Sequence, residues 1–154
     1  MDFMKEAVVE AEKNLITGDG GPFGAVIVKD GKIIARGHNE VLKNNDPTCH
    51  AEMQTIRAAC KELGTFDLSG CELYTSCYPC PMCLSATIWS NIKTIYYGNT
   101  AVDAANIGFR DDYIYKFIEG KNANRDVAHL IAKGREATIV TFEKFMAKQD
   151  KKMY

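Results

Sequence analysis

Two short segments limit how this chain can fold. His50-Ala51-Glu52 stands at the start of one predicted helix, and Pro79-Cys80-Pro81-Met82-Cys83 stands at the start of another. Imidazole and thiolate are the usual ligands of zinc, so a fold that joins the two helix starts would build a metal site. Proline suits the first helical position, and the free N–H groups of a helix N-terminus favour thiolate over thiol.

The spacing of apolar residues predicts alternating strands and helices. We expect strands at 24–29, 32–38, 71–76, 94–99 and 127–132. We expect helices at 3–16, 50–63, 81–90, 101–108, 111–119 and 135–148. The first two strands read as a hairpin around Asp30-Gly31. The pattern indicates an α/β fold, a three-layer α/β/α sandwich around a mixed sheet of about five strands.

Length and charge restrict the class of function. The 154 residues show no repeat or break in composition, so we expect a single domain over 1–154. With 19 basic and 20 acidic residues the chain lacks the basic excess of proteins that grip nucleic acid, which makes such a partner unlikely. We find no signal-peptide pattern and no stretch long enough to span a membrane. A cytoplasmic protein with reduced cysteines is therefore expected.

Glu52 is expected to carry protons rather than bind the metal. Residues two apart on an ideal helix point about 200° from each other. His50 must therefore lie at the mouth of its helix if both side chains are to approach one ion. His50, Cys80 and Cys83 would supply three ligands and leave one tetrahedral position open, as in catalytic zinc sites. Glu52 beside that position could take a proton from water and return it to the substrate.

Other interpretations of the cysteines remain open. Cys77 and Cys80 form a second C-x-x-C pair, so Cys77 could close a structural Cys3His zinc site in a non-catalytic module. A thioredoxin-like redox pair would leave His50 and Glu52 without a role. The joint pattern of His-x-Glu with Pro-Cys-x-x-Cys favours the catalytic interpretation.

These motifs resemble the zinc-dependent nucleobase deaminases of the cytidine deaminase superfamily, and within them the bacterial guanine deaminases. The similar stretches are "GGPFGAVIVKDG", "NDPT" with the His-Ala-Glu segment, "IRAACKELG", "YTSC" with "PCPMCL", "DAANIGF" with "IYK", and the final "KK" and Tyr. The resemblance implies a cytidine deaminase-like fold and hydrolysis of guanine to xanthine and ammonia. The alternatives are a tRNA adenosine deaminase and a deaminase of another free base such as cytosine or adenine.

The resemblance also implies roles for individual residues. His50, Cys80 and Cys83 match the ligands of one zinc ion per subunit, and Glu52 matches the proton shuttle. Asp111 falls on an acidic position suited to recognising or protonating guanine near its amine.

Three further matches concern the substrate, a purine base. Phe23 matches a residue that packs on the purine ring, Asn39 one that hydrogen-bonds the purine edge, and Tyr154 a C-terminal tyrosine that closes over the site. Family members are similar in forming homodimers that exchange the C-terminal segment. Three of these residues also have a structural alternative: Phe23 could fill a core gap, Asn39 could cap a turn, and Asp111 could cap the following helix.

Three positions depart from the family pattern. Tyr78 stands where Glu is common, Cys49 stands where Ala is usual, and Arg110 interrupts an acidic pair to leave Asp111 and Asp112. The first two flank predicted metal ligands, so the surroundings of the metal are expected to differ.

Overall fold

Four apolar segments pair as one mixed sheet. The computed structural model describes residues 1–121 and 126–153. The strands are β1 (Gly24–Lys29), β2 (Lys32–His38), β3 (Cys71–Cys77) and β4 (Thr94–Asn99). Their order is β2-β1-β3-β4, with β1 antiparallel to both neighbours and β3 parallel to β4. The mixed α/β sheet expected from the sequence is thus confirmed.

The helices follow the predicted segments closely. They are α1 (Phe3–Thr17), α2 (Val41–Asn44), α3 (Ala51–Leu63), α4 (Pro81–Trp89), α5 (Ala101–Asn106), α6 (Asp112–Ile118) and α7 (Arg135–Ala147). Each predicted helix is found within two residues at either end, and the short α2 was not predicted. In the described ranges, no helix combines the length and the apolar character needed to cross a membrane.

The β1–β2 hairpin forms at the predicted turn. Asp30 and Gly31 have φ angles of 49° and 71°, both in the left-handed region. Two consecutive residues of that kind form the tight turn whose twist matches paired strands. The hairpin places Gly24 opposite His38, so the start of β1 and the end of β2 lie side by side at one edge of the sheet.

Helices cover both faces of the sheet. A Cβ atom on Gly24 would lie 2.2 Å from the Ala7 carbonyl oxygen of α1, whereas one on Gly37 would lie 2.5 Å from Thr55 Oγ1 of α3. Gly37 and His38 are consecutive, and consecutive strand residues face opposite sides. Because His38 shares the side of its partner Gly24, α1 and α3 cover opposite faces. The protein is therefore layered as helix, sheet and helix around these strands.

The apolar core lies mainly between the sheet and α3. It is formed by Ala25, Ile27, Ala35, Ala51, Ile56, Ala59, Leu68, Cys71, Leu73 and Ile92. Small residues on α3 let the helix approach the sheet closely, which brings the first turn of α3 near the end of β3.

The buried face of α1 is only partly the expected one. The spacing of apolar residues predicts one face formed by Phe3, Ala7, Val8, Ala11 and Leu15. Ala7 and Ala11 are buried as expected, whereas Val8 and Leu15 are 41% and 74% exposed. Two polar residues are buried as well, since Glu10 and Asn14 are only 3% and 7% exposed. A polar side chain is buried at little cost when its hydrogen bonds are satisfied, and both residues have partners.

The fifth expected strand is not formed. Contacts divide the chain into two units, Met1–Asn122 and Ala123–Tyr154. In the described part of the second unit, residues 127–132 have no regular structure, and Leu130 and Ile131 are each 83% exposed. A strand needs a neighbouring strand for its backbone hydrogen bonds, and the described part of this unit contains only α7. The prediction of a strand at 127–132 was therefore wrong.

Gly24 allows α1 to dock on the sheet. A methyl group there would overlap backbone atoms of Ala7 and Ala11, which cannot rotate away. We expect Gly24→Ala to lower the free energy of unfolding by about 1–3 kcal/mol, as overpacked core sites do. Urea denaturation followed by circular dichroism measures this change.

Gly31→Asn is the matched control for that measurement. Its side chain is larger, but it enters open space at a φ that Asn tolerates. Equal stability of Gly24→Ala and the wild type would show that α1 does not pack as described.

Candidate metal centre and substrate pocket

Two helix N-termini converge on one point in the first unit. His50 immediately precedes α3 and has an extended backbone, with φ −66° and ψ 157°. Cys80 precedes α4 in the same way, with φ −65° and ψ 167°, and Pro81 occupies the first helical position. On an ideal helix the side chains of His50 and Glu52 would point in nearly opposite directions. Because His50 lies before the first helical turn, both side chains can point toward the same site. The expected placement at the helix mouth is what the structure shows.

The three predicted ligand atoms form a compact group. His50 Nδ1 lies 3.5 Å from the sulfur of Cys80 and 3.6 Å from the sulfur of Cys83. Zinc bonds of about 2.3 Å to sulfur and about 2.0–2.1 Å to nitrogen, at a tetrahedral angle, separate those atoms by about 3.5–3.6 Å. The donor set and its spacing therefore fit a zinc ion.

The electrostatics of the two sulfurs also fit a cation. A hydrogen bond from the Cys83 thiol, together with one to His50, lowers the pKa of Cys80 to about 4. The same interaction with Cys80, together with burial, raises the pKa of Cys83. Ionisation of Cys80 is thus favoured by the neighbouring thiol, and the thiolate that results opposes ionisation of Cys83. A divalent cation among the three atoms would remove that opposition and hold both as thiolates.

Glu52 is buried beside the ligand group. Its side chain is 6% exposed, and burial raises the pKa of its carboxyl above the ordinary value. The hydroxyl of Thr75, on β3, lies 3.1 Å from Glu52 Oε1 and 3.1 Å from the carbonyl oxygen of Cys77. This hydroxyl can donate to the carboxylate or, when Glu52 carries a proton, to the carbonyl. Sequence reasoning missed Thr75, since a threonine in a strand is ordinary.

Cys77 lies near the group without joining it. Its thiol donates toward the Thr100 carbonyl oxygen at 3.6 Å. Burial raises the pKa of Cys77 to about 11, so it stays protonated near neutral pH. Among the described residues, the cluster here whose ligand atoms all lie within 4.8 Å of one another comprises only His50, Cys80 and Cys83.

A cavity of about 400 Å³ opens onto the ligand group. Its size falls within the range of small-molecule sites. Its wall brings together the predicted residues Phe23, Asn39, His50, Glu52, Cys80 and Asp111. Of the other two predicted site residues, Cys83 is fully buried and does not line the cavity, and Tyr154 lies outside the described residues.

Two aromatic rings meet at the wall of this cavity. Phe23 and Phe109 pack edge to face with ring centroids 5.0 Å apart. Gly21 lies close to both rings, because a Cβ atom there would be 2.8 Å from Phe23 and 2.9 Å from Phe109. Sequence reasoning missed Phe109 as a lining residue, although it lies in the stretch that carried the resemblance.

Asp111 and its neighbour Arg110 both line the cavity, but of the two only Arg110 has an ion-pair partner among the described residues. Arg110 pairs with Asp112 at 3.4 Å. Asp111 precedes α6, yet its carboxylate makes no capping hydrogen bond within the described part of the chain. Burial raises the pKa of Asp111, and the negative charge on Cys80 adds to this effect. Its carboxyl group is therefore available to a ligand rather than used in capping.

The other two departures have local partners. Tyr78 packs edge to face against Tyr97 with centroids 5.0 Å apart. Cys49 is buried, and its thiol donates to Asp46 Oδ2 at 3.3 Å. Both residues thus stabilise the loops that carry Cys80 and His50 without entering the ligand group.

Tyr115 supports the loop of the metal ligands from α6. Its hydroxyl donates to the Pro79 carbonyl oxygen at 2.7 Å, one residue before Cys80. Sequence reasoning missed this contact, because the pattern of apolar residues indicated only a short helix there.

A second group of possible ligands behaves as an ion-pair network. Asp19, His38 and Glu40 also bring ligand atoms within 4.8 Å of one another. Lys43 already lies 2.7 Å from Glu40 Oε1 and 3.9 Å from Asp19 Oδ2. The hydrogen bond from Lys43 lowers the pKa of Glu40. Because a lysine offsets this negative charge, we assign no second metal site here.

Known families supply an independent comparison. The sequence profile of the cytidine and deoxycytidylate deaminase zinc-binding region matches residues 1–99. The chain belongs to this deaminase family. Membership confirms the resemblance inferred from the His-x-Glu and Pro-Cys-x-x-Cys motifs.

Within this deaminase family, guanine deaminases are similar over most of the chain. The guanine deaminase of Bacillus subtilis (strain 168) is 53% identical over 125 residues, which are 81% of this chain and 80% of that protein. An X-ray structure of guanine deaminase from Bacillus subtilis superposes with a TM-score of 0.91 and 47% identity, covering 99% of this chain and 96% of that one.

Two other relatives match shorter parts of this chain. A guanine deaminase structure from Nitrosomonas europaea has a TM-score of 0.67 and 34% identity, covering 71% of this chain and 63% of that one. The tRNA-specific adenosine deaminase of Aquifex aeolicus is 45% identical over 95 residues, which are 62% of either chain.

The ligand geometry predicts the metal content of cysteine variants. We expect about one zinc per chain in the wild type, and loss of most of it in Cys80→Ser and Cys83→Ser, because serine hydroxyls are poor zinc ligands. Cys77→Ser is the matched control and should keep its zinc. Elemental analysis after dialysis against a weak chelator makes the comparison, and zinc loss in Cys77→Ser would favour a Cys3His structural site.

Proposed function

We propose that this deaminase hydrolyses guanine to xanthine and ammonia. The observation that carries the proposal is the similarity to Bacillus subtilis guanine deaminase over 99% of the chain at a TM-score of 0.91. The tRNA-specific relative from Aquifex aeolicus matches only 62% of the chain. The near-neutral charge of −1 also gives little support to an RNA substrate.

Glu52 is proposed as the residue that moves protons. Zinc held by His50, Cys80 and Cys83 would supply Lewis-acid activation of a water molecule. Glu52 takes a proton from the attacking water and delivers it to the amino group on C2 of guanine. A C–O bond forms at C2, the C–N bond breaks, and the nitrogen leaves as ammonia. Burial keeps the pKa of Glu52 raised, so the carboxyl can hold the proton between these steps.

Three residues are proposed to hold the base. Phe23 offers a flat apolar surface to the purine ring. Asn39 Oδ1 accepts the N–H of Val41 at 3.1 Å, which leaves the amide nitrogen to donate to the purine edge. Asp111 accepts hydrogen bonds near the amino group of guanine or donates its proton there. The raised pKa of Asp111 supports either use.

The cysteines support proposals for the metal content and the cellular location of the enzyme. We propose one zinc ion per subunit, because a single His-Cys-Cys group with the required spacing occurs in the described residues. We also place the protein in the cytoplasm, where a reducing environment maintains cysteines as free thiols. All six cysteines are free thiols in the structure.

We propose a homodimer in which the C-terminal segment is exchanged. The second unit, Ala123–Tyr154, carries exposed apolar side chains such as Leu130 and Ile131. Exposed apolar surface of this kind often marks an interaction site. In the proposed dimer, residues 1–154 act as one functional domain, and Tyr154 of each subunit closes over the site of the other.

Replacing Glu52 tests the proposed chemistry. Glu52→Gln keeps the shape of the side chain but cannot carry the proton, so we expect kcat for guanine to fall by about 10²–10⁴-fold. Zinc content should stay at the wild-type level. Ammonia release with guanine as substrate measures the rate, and Glu62→Gln, an exposed change on the same helix, is the control. Full activity in Glu52→Gln would rule out the mechanism.

Mixing two impaired variants tests the exchanged tail. Glu52→Gln has an intact tail and an inactive site, whereas a variant without Tyr154 has an intact site and no closing tyrosine. If tails are exchanged, mixed dimers contain one complete site, and guanine activity should rise after the variants are unfolded and refolded together. Separately refolded samples that are then combined serve as the control. Equal activity in both samples would show that each subunit uses its own tail.

A further inference from the structure

Asn14 has a contact pattern that the proposed chemistry does not use. It lies on the buried face of α1 and is 7% exposed. Its amide nitrogen donates to two backbone carbonyls, those of Gly21 at 2.7 Å and Asn39 at 2.8 Å. The hydroxyl of Thr17 donates to the Asn14 side-chain oxygen at 3.3 Å, which fixes the orientation of the amide.

The two accepting carbonyls belong to two neighbouring segments, which contribute Phe23 and Asn39 to the wall of the substrate cavity. Gly21 lies in the loop that carries Phe23, and Asn39 follows β2. The N–H of Asn39 also donates to the Phe23 carbonyl at 3.0 Å, so the two segments touch directly. A Cβ atom on Gly20 would lie 2.0 Å from the Asn39 side-chain oxygen, so the loop has no room for a side chain there. Asn14 thus joins two segments that meet at the cavity.

A second connection lies on the more exposed side of the same loops. The Asp19 carbonyl accepts the N–H groups of Leu42 and Lys43 at 2.9 and 3.0 Å. The Asp19 carboxylate lies 3.0 Å from His38 Nε2. This connection fixes the ends of the loops, whereas Asn14 reaches the positions next to Phe23 and Asn39 themselves.

The chemistry at this position requires a primary amide. One nitrogen must donate two hydrogen bonds, which excludes aspartate, serine and threonine. An apolar residue of similar size would remove the side-chain donor from the buried Asn39 carbonyl and would leave the Gly21 carbonyl with the N–H of Phe23 as its only donor among the described residues. Since Asn14 does not line the cavity, any influence on a bound base must act through the two loops.

We infer that Asn14 is a positioning residue that sets the distance between the ring-packing Phe23 and the edge-binding Asn39. The expected effect on guanine kinetics rests on the proposed function. The hydrogen bonds by which Asn14 joins the two segments do not depend on which base the cavity binds.

Steady-state kinetics with guanine give the first test. We expect Asn14→Leu to raise KM and lower kcat/KM by about tenfold or more, since two hydrogen bonds near the cavity are lost. Zinc content should not change, because Asn14 does not touch the ligand group. Ser90→Ala, which removes a buried hydroxyl bonded to Ala86 on α4, controls for a general loss of stability. Unchanged KM in a folded Asn14→Leu protein would overturn the inference.

A conservative variant keeps the test decisive. Asn14→Gln retains both N–H donors and moves them by one methylene, so we expect a smaller rise in KM than in Asn14→Leu. If Asn14→Leu does not fold, the KM of Asn14→Gln decides alone. A KM equal to that of the wild type would then contradict the positioning role.

A double-mutant cycle separates positioning from simple destabilisation. If Asn14 acts through Asn39, most of the fall in kcat/KM caused by Asn14→Leu should disappear in an Asn39→Ala background. Effects that multiply independently would show that Asn14 does not act through this wall of the cavity.

Amide hydrogen exchange tests the link without any substrate. The N–H of Phe23 donates to the Gly21 carbonyl, and that of Asn39 donates to Phe23, so both report on the joined loops. In Asn14→Leu these two amides should exchange about tenfold faster, while Ile27 in the middle of β1 should not change. If these amides exchange faster in Asn14→Leu but the wild type does not turn over guanine, the structural link is supported and the proposed function is rejected. Unchanged exchange would overturn the link whatever the substrate.

Discussion

The close approach of one imidazole nitrogen to two cysteine sulfurs is the interaction on which the rest of this structure depends. His50, Cys80 and Cys83 reach it because α3 and α4 begin at neighbouring points beside the end of β3. The thiolate of Cys80 opposes ionisation of Cys83 unless a cation joins the two sulfurs, as the opposite pKa shifts of Cys80 and Cys83 show. The sheet and its helices therefore hold a group of ligands in which both sulfurs can be thiolates only when a metal cation is bound.

The cavity beside this group is lined by aromatic rings and a few polar side chains. Glu52 is buried against Thr75, and Asp111 is partly buried in the same cavity, so burial raises the pKa of both carboxyls. A carboxyl whose pKa is raised above its ordinary value accepts a proton more readily, and hydrolytic removal of an amine requires such a proton carrier. Phe23 and Phe109 supply the apolar surface that a flat base would contact. The chemistry and the shape of the site thus support the same class of substrate.

The sequence predicted the elements whose signals are local. The Asp30-Gly31 turn, the apolar strands and the ligand residues at helix starts follow from spacing and capping rules. The burial of Asn14 on α1 could not be predicted, because its hydrogen-bond partners lie in distant loops that periodicity cannot reveal. The failed strand at 127–132 has a related cause, since apolar composition signals burial but does not supply a neighbouring strand.

Action on guanine is the property that distinguishes this zinc-binding deaminase from its relatives that act on tRNA. It can be tested by ammonia release from guanine, adenine, cytosine, guanosine and a tRNA adenosine substrate, compared side by side with the zinc-loaded protein under one set of conditions. We expect rapid release from guanine and little from the others. Rapid release from the tRNA substrate with none from guanine would contradict this expectation.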